Sequence, residues 1–140
     1  IVVGRDNIVV QIITDDHFVF GVSFRQAVTS LDQQMPDPDI FVFSFESHQR
    51  RRTKRFRLLS RQKSNAFVMV HSTSRELLTV GCGDAALVIT PRTSYNFNLS
   101  KMFRDMEDTT LTGHDGFTDF FVCARVLCLQ MPTEDWWDND

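Results

Sequence analysis

Pro38-Asp39-Ile40-Phe41-Val42-Phe43-Ser44-Phe45 is the stretch on which the reading of the fold turns. Pro36 and Pro38 end whatever precedes them, because proline fixes its own φ and pushes the residue before it out of the helical region. Beyond the prolines, aromatic side chains recur at 41, 43 and 45. Residues two apart on a strand share a face. The pattern therefore predicts a strand over 40–45 with three rings on one buried side of a sheet. The wider composition agrees: thirteen Phe stand against two Trp and one Tyr, rings that fill a core without needing a buried polar partner.

Working outward, Ile8 to Thr14 is a nearly continuous β-branched run, which predicts a strand buried on both faces. Asp15-Asp16 supplies a turn, and residues 17–24 return as a strand with Phe18, Phe20, Val22 and Phe24 on one face. Residues 25–34 read two ways. Phe24, Ala27, Val28 and Leu31 recur at helical spacing, but the segment is short and closes on Pro36. Further strands are expected at 67–71, 77–80 and 85–90, and a half-exposed one where Tyr95, Phe97 and Leu99 alternate with Asn96, Asn98 and Ser100. A short helical turn over 100–106 and a last strand over 120–130, stopped by Pro132, complete the pattern. Seven to nine short strands separated by turn signals predict a mainly β chain: a β-sandwich of antiparallel strands with a few short helices.

The chain has 140 residues, enough for one domain with a real core. The expected layout is a single domain over 1–132 and an acidic tail over 133–140 that carries Trp136 and Trp137. The opening Ile1-Val2-Val3 is already apolar and lacks a starting Met, which raises the expectation that upstream strands of the same domain are missing. A net charge of −3 argues against wholesale affinity for nucleic acid or membrane. No apolar run reaches the ~18–20 residues of a spanning helix, and no leader-like pattern precedes a cleavage-like site. Three cysteines without disulfide-framework spacing fit a reducing compartment. Cys123 and Cys128, five apart in a strand-like run, face opposite sides of the sheet unless a bulge intervenes. With no C-x-x-C and scattered histidines, neither a metal site nor a cofactor is expected.

The strongest local anomaly is charge. Residues 50–63 hold Arg50, Arg51, Arg52, Lys54, Arg55, Arg57, Arg61 and Lys63 and no acid. Three readings stand: a solvated hairpin loop, a docking patch for an acidic partner, or a contact for nucleic acid or an anionic surface. The candidate partner-binding residues are Arg50, Arg51, Arg52, Lys54, Arg55 and Arg57. Phe56 is the one aromatic in the run, a thin aromatic content for an RNA platform. Gly81-Cys82-Gly83-Asp84 comes second. Its glycines permit a bulge with a buried thiol, or an exposed turn in which Cys82 has a redox role. His48, near Ser44, Glu46 and Ser47, makes no triad, since neighbours on one strand do not converge. Asp15-Asp16-His17 and residues 115–119 read as turns, His71 and His114 stand alone, and the glycine patterns that cradle phosphate are absent. No catalytic constellation emerges, so the chain is expected not to be an enzyme.

Four blocks carry a resemblance to a known family. They are Phe20-Gly21-Val22-Ser23-Phe24, Asp39-Ile40-Phe41-Val42-Phe43-Ser44, Gly81-Cys82-Gly83 with Ala85-Ala86-Leu87-Val88 after it, and the closing strand from Phe121 through Leu129. In this order the chain resembles the TLDc domain of eukaryotic oxidation-resistance proteins. The block Glu107-Asp108-Thr109-Thr110-Leu111-Thr112-Gly113 looks like a feature of divergent, protist-type members. Gly21, Asp39, Phe41, Phe43, Gly81 and Gly83 match family-signature positions, the acid being shortened at Asp39, whereas Leu127 stands where the family has Glu. The resemblance implies a β-sandwich flanked by short helices, without catalytic residues. It also implies a protein-interaction role in oxidative-stress resistance or in regulating the vacuolar proton-pumping ATPase through its soluble subunits. The setting it implies is cytoplasmic, at the surface of acidic organelles.

Overall fold

The computed structural model describes residues 3–15, 19–46, 54–72, 76–90, 93–97, 99–104 and 118–131. In chain order the strands are β1 (Ile8–Thr14), β2 (Val19–Phe24), β3 (Met35–Pro36), β4 (Phe41–Glu46) and β5 (Lys54–Arg57). After a 3-10 turn (Ser60–Gln62) come β6 (Ala66–Val70), β7 (Leu78–Cys82), β8 (Asp84–Ile89) and β9 (Thr93–Phe97). Among the described residues a short helix, α1 (Leu99–Met102), precedes the long β10 (Thr118–Gln130). The mainly β expectation holds. Every pairing is antiparallel, in the order β3-β6-β7-β8-β9-β10-β1-β2-β4-β5.

That order folds into two layers because β10 belongs to both. Its first five residues, from Thr118↔Phe97 to Val122↔Thr93, pair with β9. The rest, from Cys123 to Gln130, pair with β1. The register slips where one partner gives way to the other: Ile13 faces Arg125 but Thr14 faces Cys123, leaving Ala124 as the extra residue of a bulge. A bulge bends its strand and sharpens the local twist, which is what a strand passing between sheets requires. The bulge also decides the cysteines. Cys123 and Cys128 face Thr14 and Val10, which lie on one face of β1, so they share a face. Four residues of β1 still separate them, roughly 13 Å at strand rise, too far for a bridge.

The core lies between the layers. From one come Ile8, Val10, Ile12, Phe20, Val22, Phe24, Ile40, Val42, Phe56 and Leu58; from the other, Ala66, Val68, Leu78, Val80, Leu87 and Ile89. Phe20, Val22 and Phe24 share the core face as their spacing predicts, and Phe18 lies outside the described residues. Truncating any of the fully buried Phe20, Phe24, Phe56 or Phe103 to Ala is worth about 3–5 kcal/mol. In β1 the burial alternates toward the end of the strand, with Gln11 and Ile13 only half-buried, so it is not buried on both faces throughout.

The aromatic stripe of β4 departs from expectation in direction. The core takes Ile40 and Val42, while Phe41 and Phe43 lie on the opposite, outer face. Phe43 is nevertheless only 1% exposed, because it pairs directly across from Gly21 and its ring lies over that glycine. A methyl at Gly21 would run into the Val10 carbonyl oxygen and the Phe43 ring. On the other layer Gly81 faces Phe67 in the same cross-strand relation, and Phe67 is also buried. An aromatic ring opposite a glycine covers backbone that a side chain would otherwise cover.

The basic stretch contains a strand rather than a loop alone. Arg55-Phe56-Arg57-Leu58 alternates with period 2, and Phe56 and Leu58 are buried. Residues 25–34 are not helical. Their entry is fixed by Asp37, a buried carboxylate that accepts backbone N–H bonds from Arg25 at 2.7 Å, Gln26 at 2.9 Å and Asp39 at 2.9 Å. Hydrogen bonds to a charged group contribute about 1.5–3 kcal/mol each, more than a two-turn helix of mixed propensity gains. The short helical turn expected over 100–106 is present as α1, and 105–106 lie outside the described residues.

Because one obstacle at Gly21 is backbone, Gly21→Ala is expected to cost about 1–3 kcal/mol, the range of overpacked core changes. Trimming the ring in Gly21→Ala/Phe43→Ala should not restore stability. Urea unfolding of the two variants measures this, and wild-type midpoints would refute the packing described.

Candidate functional site

Three places on the fold hold the residues singled out by the sequence. The first is the outer face of β4 and β5. Cross-strand pairing puts Arg57 beside Phe41 and Arg55 beside Phe43. The Arg55 guanidinium carbon stands 5.3 Å from the centroid of the Phe41 ring, within cation–π reach. Phe41 and Phe43 lie 6.5 Å apart with ring planes inclined at 57°. Arg57 is exposed, Arg55 half-buried. Lys54 pairs with Ser44 and belongs to the opposite strand parity, and Arg50, Arg51 and Arg52 lie outside the described residues. Arg61 and Lys63, both exposed, follow on the 3-10 turn and its C-terminal cap. The described charges are divided between two elements: the strand presents Arg55 and Arg57 together beside aromatic rings, and the turn carries Arg61 and Lys63.

The second place is the glycine turn. β7 and β8 meet at Gly83, whose φ of +77° suits glycine, and the register slips between Val80 and Gly81. Cys82 packs against the core. Its thiol donates to the Gln62 carbonyl oxygen at 3.7 Å, and burial pushes it up to about 11. A redox thiol needs the opposite shift, so this environment favours a packing role. Cys128 is the exposed cysteine. Among the other signature positions, Gly21 and Phe43 are explained by their packing, and Asp39 donates its N–H to Asp37 Oδ1 in the turn before β4.

The third place was not legible in the sequence, where His71 reads as solitary. Asp32, in the left-handed region at φ 60°, is brought beside it by an N–H bond to the Val70 carbonyl at 2.8 Å. His71 Nε2 lies 2.7 Å from Thr79 Oγ1 and 3.6 Å from Glu76 Oε2, and Nδ1 lies 3.8 Å from Asp32 Oδ1. Hydroxyl, imidazole and carboxylate stand in the order of a triad. However, the Asp32 oxygens are engaged by Ser72, through its N–H at 3.0 Å and its hydroxyl. These bonds, the hydroxyl foremost, hold the Asp32 carboxyl below its ordinary range. At 3.8 Å the carboxylate is beyond the hydrogen bond that would orient a catalytic imidazole. The two acids also address different ring nitrogens, so one ion could not draw on both through a single nitrogen. Among the described residues no group of three or more His, Cys, Asp or Glu is placed to hold a metal. The cluster is a polar clamp joining residue 32 to the β6–β7 connection.

No helix among the described residues is long and apolar enough to cross a membrane. No protein-family model and no curated protein matches the sequence, so the likeness to the TLDc domain stands on its strand blocks alone.

Burial pushes both the Cys82 and the Cys128 thiols up, so Cys82, raised to about 11 and the less exposed of the two, is expected to alkylate slowly at neutral pH and after Cys128. Labelling with iodoacetamide followed by peptide mass spectrometry gives the order, and prompt modification of Cys82 in the folded chain would contradict its environment.

Proposed function

We propose that this chain is a non-catalytic protein-interaction domain of TLDc type, binding an acidic face of a protein partner through the outer side of β4 and β5. The observation that carries the reading is the register that sets Arg57 and Arg55 directly beside Phe41 and Phe43. Arginine next to aromatic rings is the composition of interface hot spots. The Arg55 guanidinium is already placed over the Phe41 ring, which leaves it less ordering to do on binding. The strand blocks that resemble the TLDc domain support the same class, and with it a partner among the soluble subunits of the vacuolar proton-pumping ATPase and a role in oxidative-stress resistance. The face suits a protein better than nucleic acid, because the Phe41 ring that would stack a base already has Arg55 over it.

Calorimetry of the intact chain with purified soluble subunits of that ATPase, at low and moderate salt, tests the proposal. Binding is expected, weakened roughly tenfold or more by Arg57→Glu, with the melting temperature unchanged because Arg57 is exposed. Absence of binding would overturn the partner. Equal binding by Arg57→Glu would remove the face. Tight association with a DNA or RNA duplex that collapses steeply with salt would transfer the function to nucleic acid.

A further inference from the structure

Natural sheets protect the edges they expose, and here the outermost edges follow that rule. β3, at one end of the strand order, has two residues, one of them Pro36, which has no N–H to offer. β5, at the other end, carries Lys54, Arg55 and Arg57. Beyond it the Leu58↔Phe103 bridge continues the pairing, with N–H bonds from Leu59 to the Met102 carbonyl at 2.8 Å and from Arg104 to the Arg57 carbonyl at 2.7 Å.

A third edge is longer, and among the described residues neither a proline nor a further strand blunts it beyond its bulge at Ala124 and the single charge of Arg125. β10 stands in the middle of the strand order, but β9 pairs with it only as far as Val122. From Cys123 to Gln130 its pairing partner among the described residues is β1 alone. This eight-residue stretch, Cys123-Ala124-Arg125-Val126-Leu127-Cys128-Leu129-Gln130, holds one charge and no proline. Leu127 and Leu129 are 38% and 48% exposed on its outer face, and Ala124 and Cys128 are exposed as well. A long apolar edge of this kind is a template for another strand.

We infer that the edge pairs with its counterpart in a second copy of this chain, antiparallel, so that two sheets join into one across a two-fold axis. An added strand must be apolar on both faces and must not set a charge against Arg125. β10 itself meets both conditions. With the axis at Leu127, the leucine faces its own copy, Val126 faces Cys128, and Arg125 faces Leu129. The two arginines are then four positions apart, roughly 13 Å at strand rise and outside the ~8–10 Å screening length at ordinary salt. With the axis at Val126 they would be only two positions apart, and at Arg125 directly opposed. Charge thus disfavours those two registers, and of the ones that keep the arginines apart the axis at Leu127 retains the longest overlap of the two edges. The result is a closed, isologous dimer.

Sedimentation equilibrium on the intact chain, across a range of protein concentrations, tests this. The expected result is a reversible monomer–dimer equilibrium, driven to monomer by Leu127→Lys, which sets like charges face to face on the axis; circular dichroism and the unfolding midpoint verify that this variant is folded. Leu127→Cys in a Cys128→Ser background is then expected to form an intermolecular disulfide under mild oxidation, since directly opposed strand residues lie within bridging distance. A monomer at every concentration, or a dimer indifferent to Leu127→Lys that fails to cross-link through position 127, would overturn the inference.

Discussion

The fold depends on a single strand serving two sheets. β10 pairs with β9 through Val122 and with β1 from Cys123 onward, and the bulge at Ala124 falls where one partner gives way to the other. Remove that handover and β1, β2, β4 and β5 form one sheet while β3 and β6–β9 form another, with no ladder between them. Neither could bury its apolar face alone. With it, both faces close on one core, in which Ile12 and Val22 of one layer and Val80 and Ile89 of the other are fully buried. The bend also has a cost. Because β9 ends its pairing where β10 turns, the second half of β10 has an open side among the described residues, and the apolar edge from Cys123 to Gln130 follows from how the layers are joined.

The same geometry divides the chemistry of the chain. Apolar side chains of β4 and β5 alternate with Phe41, Phe43, Arg55 and Arg57, so the core claims Val42 and Phe56 and the outer face keeps rings and guanidinium groups. Gly21 leaves room for the Phe43 ring to cover its backbone, beside the inclined Phe41 ring that carries the Arg55 guanidinium. On that face the strand order runs from Leu127 and Leu129 across β1 and β2 to Arg55 and Arg57. An apolar edge and a basic rim thus bound one surface. Two copies joined at the edge would present two basic rims on one continuous sheet, an arrangement that strengthens binding to a repetitive partner through effective concentration.

Much of this was legible in the sequence where periodicity alone decides the outcome. Phe20, Val22 and Phe24 declare a strand face, Asp15 opens the turn of the first hairpin, and Gly83 supplies the positive φ of the second. The illegible parts have a common cause: long-range pairing that local pattern does not encode. The rings at 41 and 43 announce a strand but not which way it faces, and that was settled by Gly21 on another strand. β5 hid behind its charges, although Phe56 and Leu58 carried the alternation. Residues 25–34 lost their helical option to the bonds that the Arg25 and Gln26 N–H groups donate to the Asp37 carboxylate, and His71 gained Asp32 as a neighbour from a loop some forty residues upstream. The comparison of Cys123 with Cys128 turned on one bulged residue. Of the candidate site, the basic stretch was evident, but its division into strand-borne and turn-borne charges required the ladder.

Native-state hydrogen exchange, read residue by residue, measures whether β10 makes the two sheets one cooperative unit. Amides paired between β1 and β2 and those paired between β7 and β8 are expected to share one opening free energy, rising and falling together with denaturant. Two separate exchange units, with one sheet opening while the other stays protected, would show that the shared strand does not hold the fold together.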